Sequence, residues 1–234
     1  GSIAIAAAAT AALATQTTQP AKISDIDRKQ IEQIVHDYIL AHPEVLSEAA
    51  DNLNARQVGE VIAKYRSAIE TPYAGAWEGA AKGDVIVTEF FDYACGYCRS
   101  SLSDIAKLVA ADKNVKVVYR ELPILSQFSA DAAKVSLLAA EKGQYMAYHR
   151  ALYGAGRVTR DTVIAAANAV GIDRAAVDAA LANPAYGAEI KSNIQLARVL
   201  QASGTPTFVV GDQVLSGAVG YDALTEAVAK ARAK

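Results

Sequence analysis

The stretch VIVTEFF, residues 85–91, is an almost unbroken apolar run, and the chain's only two cysteines, Cys95 and Cys98, follow it within seven positions. A run of this length without alternation reads as a strand covered on both faces. Such a strand must lie inside a layered α/β arrangement, because helices have to cover both sides of it. A helix pattern starts at about Cys95, with Cys98, Leu102, Ile105 and Val109 on one face, and VKVVYR, residues 115–120, reads as a second strand. A strand, a crossover helix and another strand form a βαβ unit, so the two strands are expected to be parallel.

From Ser129 to about Ala202 the pattern is helical throughout, broken near Gly143, Gly154-Ala155-Gly156, Gly171 and Pro184. Residues 207–210, TFVV, and 213–216, QVLS, flank Gly211-Asp212, a two-residue hairpin signal. A last helix covers about 221–232. The catalytic domain is therefore expected over 84–234, a mixed sheet with a helical insertion at about 126–202.

Ahead of it, residues 23–69 carry two amphipathic helix patterns and no strand. Ile31, Ile34, Val35, Tyr38 and Ile39 lie on one face of the first, which Ser24 or Asp27 would cap. Pro43 separates it from the second, which runs through Leu46, Leu53, Ile62, Tyr65 and Ile69. The stripes must pack either on the following domain or on copies of themselves. Residues 70–83, rich in glycine and alanine, read as a linker and favour a separate oligomerisation stalk. Residues 1–22 read as the remnant of a secretory signal or as a disordered lead-in. Their stretch 2–14 is short, apolar and alanine-rich, too short to span a bilayer. The signal reading places the protein outside the cytoplasm, where disulfides persist.

Composition narrows the function. A net charge of −2 with no basic stripe argues against a nucleic-acid partner. Two cysteines make no structural disulfide framework, but three positions apart they suit a redox pair. At the start of a helix Cys95 would sit at the positive end of the dipole, which favours thiolate, and Cys98 would lie one turn in on the buried face. Cys95 is then expected to attack, and Cys98 to resolve the mixed disulfide. Glu89 interrupts an apolar strand, where an unpaired carboxylate is costly. It reads as a buried acid that handles the proton of Cys98, or else as a strand-end acid paired or facing solvent. Tyr93 and Tyr97 are candidates for the rim that meets substrate, and are equally compatible with plain core or surface. Two soft thiolates also suit Cu(I), which could bind only at Cys95 and Cys98 because Met146 is the sole methionine. His36, His42 and His149 read as ordinary helix residues with no partner at metal spacing, and no cofactor is required.

TEFFDYACGYC, with its acid six positions before the first cysteine, resembles the thioredoxin superfamily, and the EFFDY lead-in and RELPIL (residues 120–125) its DsbA-like branch. SGTPTF, residues 203–208, is similar to the cis-proline loop of that superfamily. The resemblance implies a cis bond between Thr205 and Pro206, facing the cysteine pair, with the Thr205 backbone pairing with substrate. The helices IVHDYILAHPEVLSEA, residues 34–49, resemble those of the suppressor-of-copper-sensitivity C proteins, ScsC. There they assemble trimers, and copper tolerance raises the Cu(I) reading. DsbA-like oxidases typically carry Pro-His between the cysteines and a valine before the cis-proline. Gly96-Tyr97 and Thr205 depart from both and are similar to disulfide isomerases. The resemblance thus implies a periplasmic homotrimeric isomerase for misfolded disulfide-containing proteins. A membrane thiol reductase of the ScsB or DsbD kind would recharge it, and its potential is expected at about −120 to −180 mV. A monomeric DsbA-like oxidase and a Cu(I)-binding protein are the alternatives.

Overall fold

The computed structural model describes residues 25–233. The signal reading of residues 1–22 and the Ser24 cap lie outside them. The chain forms two units that divide between Ala50 and Asp51.

In the first unit, helix α1 spans Asp25–Ala41, and helix α2, Glu44–Glu70, begins after Pro43. Proline lacks the N–H that would continue the first ladder, which is why the helices break there. Of the stripe expected on the first helix, Ile31, Ile34 (67%), Val35 and Tyr38 are exposed and Ile39 is half-buried; Leu40 and Leu46 are exposed as well.

The second unit is built on a five-stranded sheet in the order β1-β3-β2-β4-β5. Its strands are Trp77–Gly79 (β1), Val85–Phe91 (β2), Val115–Glu121 (β3), Thr207–Val210 (β4) and Gln213–Ser216 (β5). β2 and β3 are parallel, Glu89 facing Tyr119, and helix α3, Gly96–Ala111, is the crossover that connects them. β4 runs antiparallel to β2, placing Phe208 opposite Glu89, and Val210 pairs with Gln213 across the Gly211-Asp212 turn.

The side-chain period of two sorts β2 onto two cores. Val85, Val87 and Phe91 join Cys98, Ile105, Leu108, Phe208, Leu224 and Val228 on one face, under α3 and helix α9, Gly220–Arg232. Phe90 points the other way, to Leu122, Leu196, Val209, Ile62 and Ile69. Glu89 shares the parity of Val87 and Phe91 and is therefore on the cysteine face. The insertion consists of α4 (Ser129–Glu141), α5 (Tyr145–Gly154), α6 (Arg160–Ala169), α7 (Arg174–Ala182) and α8 (Pro184–Val199). The breaks between these helices fall where the glycines and Pro184 were read.

Two expectations change. The stalk expected over 23–69 does not include the second half of α2. From Asp51 onward the helix belongs to the second unit, and Ile62 and Ile69 are fully buried. Arg120, itself buried on β3, donates to the carbonyls of Ala68, Ile69 and Thr71 at the end of α2 and pairs with Glu189 of α8 at 3.0 Å. A cation on the free carbonyls of a helix C-terminus opposes the macrodipole and satisfies acceptors the helix cannot. Thr88 Oγ1 donates to the Ile69 carbonyl as well.

The stretch 70–83 is also no plain linker. Trp77–Gly79 forms edge strand β1 antiparallel to β3, with Ala76 buried. Three residues are too few to show a period. The glycines are there for close approach: a Cβ on Gly79 (φ +87°) would meet the Val115 carbonyl oxygen at 2.5 Å, and one on Gly75 would meet that of Ala140 at 2.9 Å.

Candidate active site

The apolar β2 strand ends at Phe91 and the next four residues turn into α3. Asp92, buried at the turn, organises it. One carboxylate oxygen accepts from the Ala94 N–H (2.8 Å) and the Ser129 hydroxyl (2.7 Å), the other from the N–H groups of Ile124 (2.7 Å) and Leu125 (2.8 Å). The Asp92 carbonyl accepts from the Cys95 N–H at 3.0 Å and from the Tyr153 hydroxyl at 3.1 Å. A buried carboxylate is tolerated when its lone pairs are filled by donors, and here four donors from three segments fill them.

This turn delivers Cys95 to the N-cap of α3. Its Sγ accepts from the Cys98 N–H at 3.4 Å, taking up one of the unpaired donors at the helix start. The same sulfur donates its proton to the Thr205 carbonyl at 3.2 Å, and the Thr205–Pro206 bond is cis. Cys95 and Cys98 are both free thiols, 5% and 1% exposed, so Cys95 is the more reachable of a recessed pair. Between them Gly96 is exposed with open space where a side chain would stand, and Tyr97 is 71% exposed.

Glu89 is buried and its Oε1 has no hydrogen-bond partner. Burial, then the neighbouring Cys95 and Glu78, push its carboxyl well above the ordinary range, which favours its protonated form. Burial first, and Glu89 second, also push the Cys98 thiol far up. The two groups disfavour charge on one another. The arrangement can present one sulfur to an incoming disulfide and keep the second as a thiol beside a carboxyl of raised basicity.

Tyr93 is not on the rim. It is buried, with its hydroxyl on Ser136 Oγ (2.8 Å) and His149 Nδ1 (3.1 Å). Nor is His149 an ordinary helix residue. It is wholly buried among the rings of Phe91, Tyr93, Tyr119, Tyr145 and Tyr153, with centroids 4.8–5.5 Å away. Burial holds its pKa down at about 3, so it is neutral. At the end of β3, near Ser136 and Tyr145, Glu121 is a second buried acid pushed well up by burial. His36 and His42 are exposed, near Asp37 and Glu44.

Residues 86–229 match the model of the DSBA-like thioredoxin domain. The chain belongs to that family. The DSBA-like domain is preceded, at residues 27–58, by a match to the copper resistance protein ScsC N-terminal domain. Among solved structures, a thioredoxin-like oxidoreductase from Silicibacter pomeroyi DSS-3 is 40% identical with a TM-score of 0.69. The alignment covers 72% of this chain and 98% of that one. The catalytic domain of Proteus mirabilis ScsC is 25% identical with a TM-score of 0.67, over 75% and 99%. A curated relative, Na(+)/H(+) antiporter NhaA 1 of Salinispora arenicola (strain CNS-205), is 26% identical over 156 residues, 65% of this chain. The chain spans about a quarter of the length of the curated relatives it matches, 24% in each case.

Within the DSBA-like domain Cys95 meets the Thr205 carbonyl before the cis Pro206 and neighbours Glu89, while Tyr93 is buried away from the surface. Asp92 and Glu121 were not singled out, and His149 was read only as an ordinary helix residue. For Asp92 the available signal was its place in the quoted run, three positions before Cys95, and for Glu121 its place in RELPIL; for the burial of His149 there was none. A metal needs deprotonated sulfur, and burial and Glu89 oppose that at Cys98. Among the described residues no three metal-ligating side chains gather. The donor set does not favour Cu(I), and no step is assigned to it.

Proposed function

We propose that the chain is a thiol–disulfide oxidoreductase that acts as a protein disulfide isomerase on misfolded secreted proteins. The observation that carries this is the Cys95 sulfur on the first turn of α3, against the Thr205 carbonyl of the cis-proline loop, with Cys98 free beneath it. The Cys95 thiolate attacks one sulfur of a client disulfide; an S–S bond forms between them and the other client sulfur leaves as thiolate. A second client thiolate then attacks the client sulfur of this mixed disulfide, and Cys95 leaves with the electron pair, so no net oxidation occurs. If rearrangement stalls, Cys98 loses its proton and attacks Cys95. The client departs as a dithiol, and the pair becomes a disulfide that a membrane thiol reductase of the ScsB or DsbD kind must reduce. We assign the proton of Cys98 to Glu89 in its ionised form, which burial makes a stronger base than an ordinary carboxylate.

Gly96-Tyr97 and Thr205 favour isomerase over oxidase, since both depart from the oxidase pattern in the same direction. The exposed apolar stripe of α1 and early α2 fits self-association into a trimer, which would hold several sites around one client. The stretch 23–50 is thus assigned to the stalk and 51–234 to the catalytic unit. A compartment where disulfides persist, the periplasm, is where such chemistry has clients. The test is recovery of activity from a scrambled, fully oxidised ribonuclease with catalytic amounts of the reduced protein. Recovery supports the isomerase. Fast oxidation of reduced peptides with no recovery of the scrambled substrate would turn the reading to an oxidase.

A further inference from the structure

Beside Cys95 opens a cleft of about 550 Å³, lined by the two residues that flank it, Ala94 and Gly96, by Leu125 and Val158, and by Arg99 and Arg157. No acidic residue lines it. Arg99 stands four positions into the helix that Cys95 caps, about 6 Å along the axis, and its guanidinium donates to the Gly156 carbonyl in the loop between α5 and α6. Arg157 follows Gly156 in the chain and is exposed. Arg99 and Arg157 thus both line the cleft, one from α3 and the other from the loop between α5 and α6. Arg150 and Arg160, on the neighbouring helices, pair with Glu78 and Asp131; among the described residues neither Arg99 nor Arg157 has a carboxylate. One hydrogen bond leaves Arg99 most of its five donors. The lip is apolar, with Ile124 49% and Leu125 54% exposed.

Two like charges held without counter-ions next to a reacting sulfur constitute a binding preference. Each guanidinium matches a carboxylate with paired N–H donors, and an unopposed cationic cleft attracts acidic segments during encounter. We infer that this cleft selects the client, seating a stretch of polypeptide with an aspartate or glutamate within about two or three residues of the cysteine under attack. An extended chain advances about 3.3 Å per residue, which carries a side chain that far from the sulfur on Cys95 to the guanidinium of Arg99. The apolar lip adds contact for the residues between. The inference rests on the oxidoreductase reading and adds the client's chemistry to it.

The test measures how fast the reduced full chain reduces two disulfide-looped peptides, identical except for aspartate or lysine on either side of the cysteine. Neutral hydroxyethyl disulfide serves as the reference for the chemistry alone. At low salt the aspartate peptide is expected to react faster by about fivefold or more, the upper range of one exposed ion pair. The ratio should fall towards one in R157Q and in 0.5 M salt, and R157E should favour the lysine peptide. Because Arg99 also braces the loop, Arg157 carries the test. Equal rates for the two peptides, with hydroxyethyl disulfide still reduced, would overturn the cleft and leave the oxidoreductase standing. No reaction with any disulfide would remove the oxidoreductase reading itself.

Discussion

The Cys95 sulfur donates to the main-chain carbonyl of Thr205 at 3.2 Å, across 110 positions of sequence. The contact is to backbone, so the loop can present its polar edge to a client strand whose cysteine has joined Cys95. The threonine side chain takes no part, its Oγ1 being buried without a partner. Capture on Cys95 and release by Cys98 are therefore separable. In Cys98→Ser the first attack persists and the resolving step is gone, so client adducts should accumulate on Cys95 and be visible as added intact mass that a reductant removes. Cys95→Ser should form none. Adducts that form through Cys98 in Cys95→Ser would reverse the assignment of the two sulfurs.

Asp92 joins the cysteine turn to the segment after β3 and to the start of α4 through four hydrogen bonds. Its partners are all donors, so asparagine is not a conservative replacement: its NH₂ would face N–H groups. Both Asp92→Ala and Asp92→Asn leave buried donors unpaired, at about 1–3 kcal/mol for each such group. Thermal or urea unfolding should show a loss of about 3 kcal/mol or more in both. Tolerance of asparagine with near-parental stability would mean that the carboxylate is not accepting as described.

The architecture was readable where periodicity is long and local. The β2 strand, the helix after Cys95, the breaks at Gly143, Gly171 and Pro184 and the Gly211-Asp212 hairpin all follow from spacing and turn chemistry. What was not readable depends on tertiary partners. Trp77–Gly79 is a strand only because β3 offers it an edge, and its glycine reads as flexibility when it serves close approach. The stripe of α2 does not tell that Ile69 meets Phe90 while Leu46 meets water, since both are apolar at helical spacing. The burial of Tyr93 and His149 comes from α5 folding back over the cysteine face. The cysteine pair, Glu89 and Pro206 were readable because a short motif holds chemistry in fixed order; Asp92 lay inside that motif but acts through residues far along the chain.

Glu89 makes the folded protein more stable in acid. Its folded pKa is raised above the unfolded value of about 4.3. Its contribution is therefore fully present below that value and is lost as pH rises towards the folded one. Glu89→Gln removes this penalty, so the variant should be more stable than the parent at pH 7 and the difference should vanish near pH 4. Glu121, also raised, leaves some of the slope in place. The same variant should release client adducts more slowly, because Cys98 loses its proton partner. A Glu89→Gln chain with an unaltered pH–stability curve would show that the carboxyl is not raised in the fold.

His149 acts in the opposite sense. Its pKa is held at about 3 against an ordinary 6.5, so it stays neutral in the fold while the unfolded chain protonates. The stability it contributes is present above pH 6.5 and is lost as pH falls towards 3. By about 1.4 kcal/mol per unit this amounts to something on the order of 4 kcal/mol at the acid end. The carboxyls pull the total the other way, so the readout is a difference. His149→Phe, an apolar ring for a cage of rings, should lose less stability than the parent between pH 6.5 and 3.5. Parallel curves would mean that the imidazole titrates normally.

Where the chain is cut should decide between loss of assembly and loss of fold. Ile31, Ile34, Val35, Tyr38 and Leu40 of α1 and Leu46 of α2 are exposed, whereas Ile62 and Ile69 are fully buried against Phe90, Leu122 and Val209. A chain starting at Asp51 keeps the buried half of α2, and Arg120 keeps the carbonyls it caps. It should fold, with near-parental thermal stability, as a monomer in sedimentation, while the full chain sediments as an oligomer. A chain starting at Thr71 removes both isoleucines, strips the cover from Phe90 and takes from the Arg120 guanidinium the carbonyls of Ala68 and Ile69, leaving it Thr71, Glu189 and Asn193. Truncating one such buried isoleucine to alanine costs about 2–5 kcal/mol, so losing the whole half-helix should leave the domain poorly folded or aggregated. If the full protein is a monomer like the Asp51 chain, the exposed stripe is not an association surface, and the multivalent part of the isomerase reading falls with it. The cysteine chemistry would then be that of a monomer.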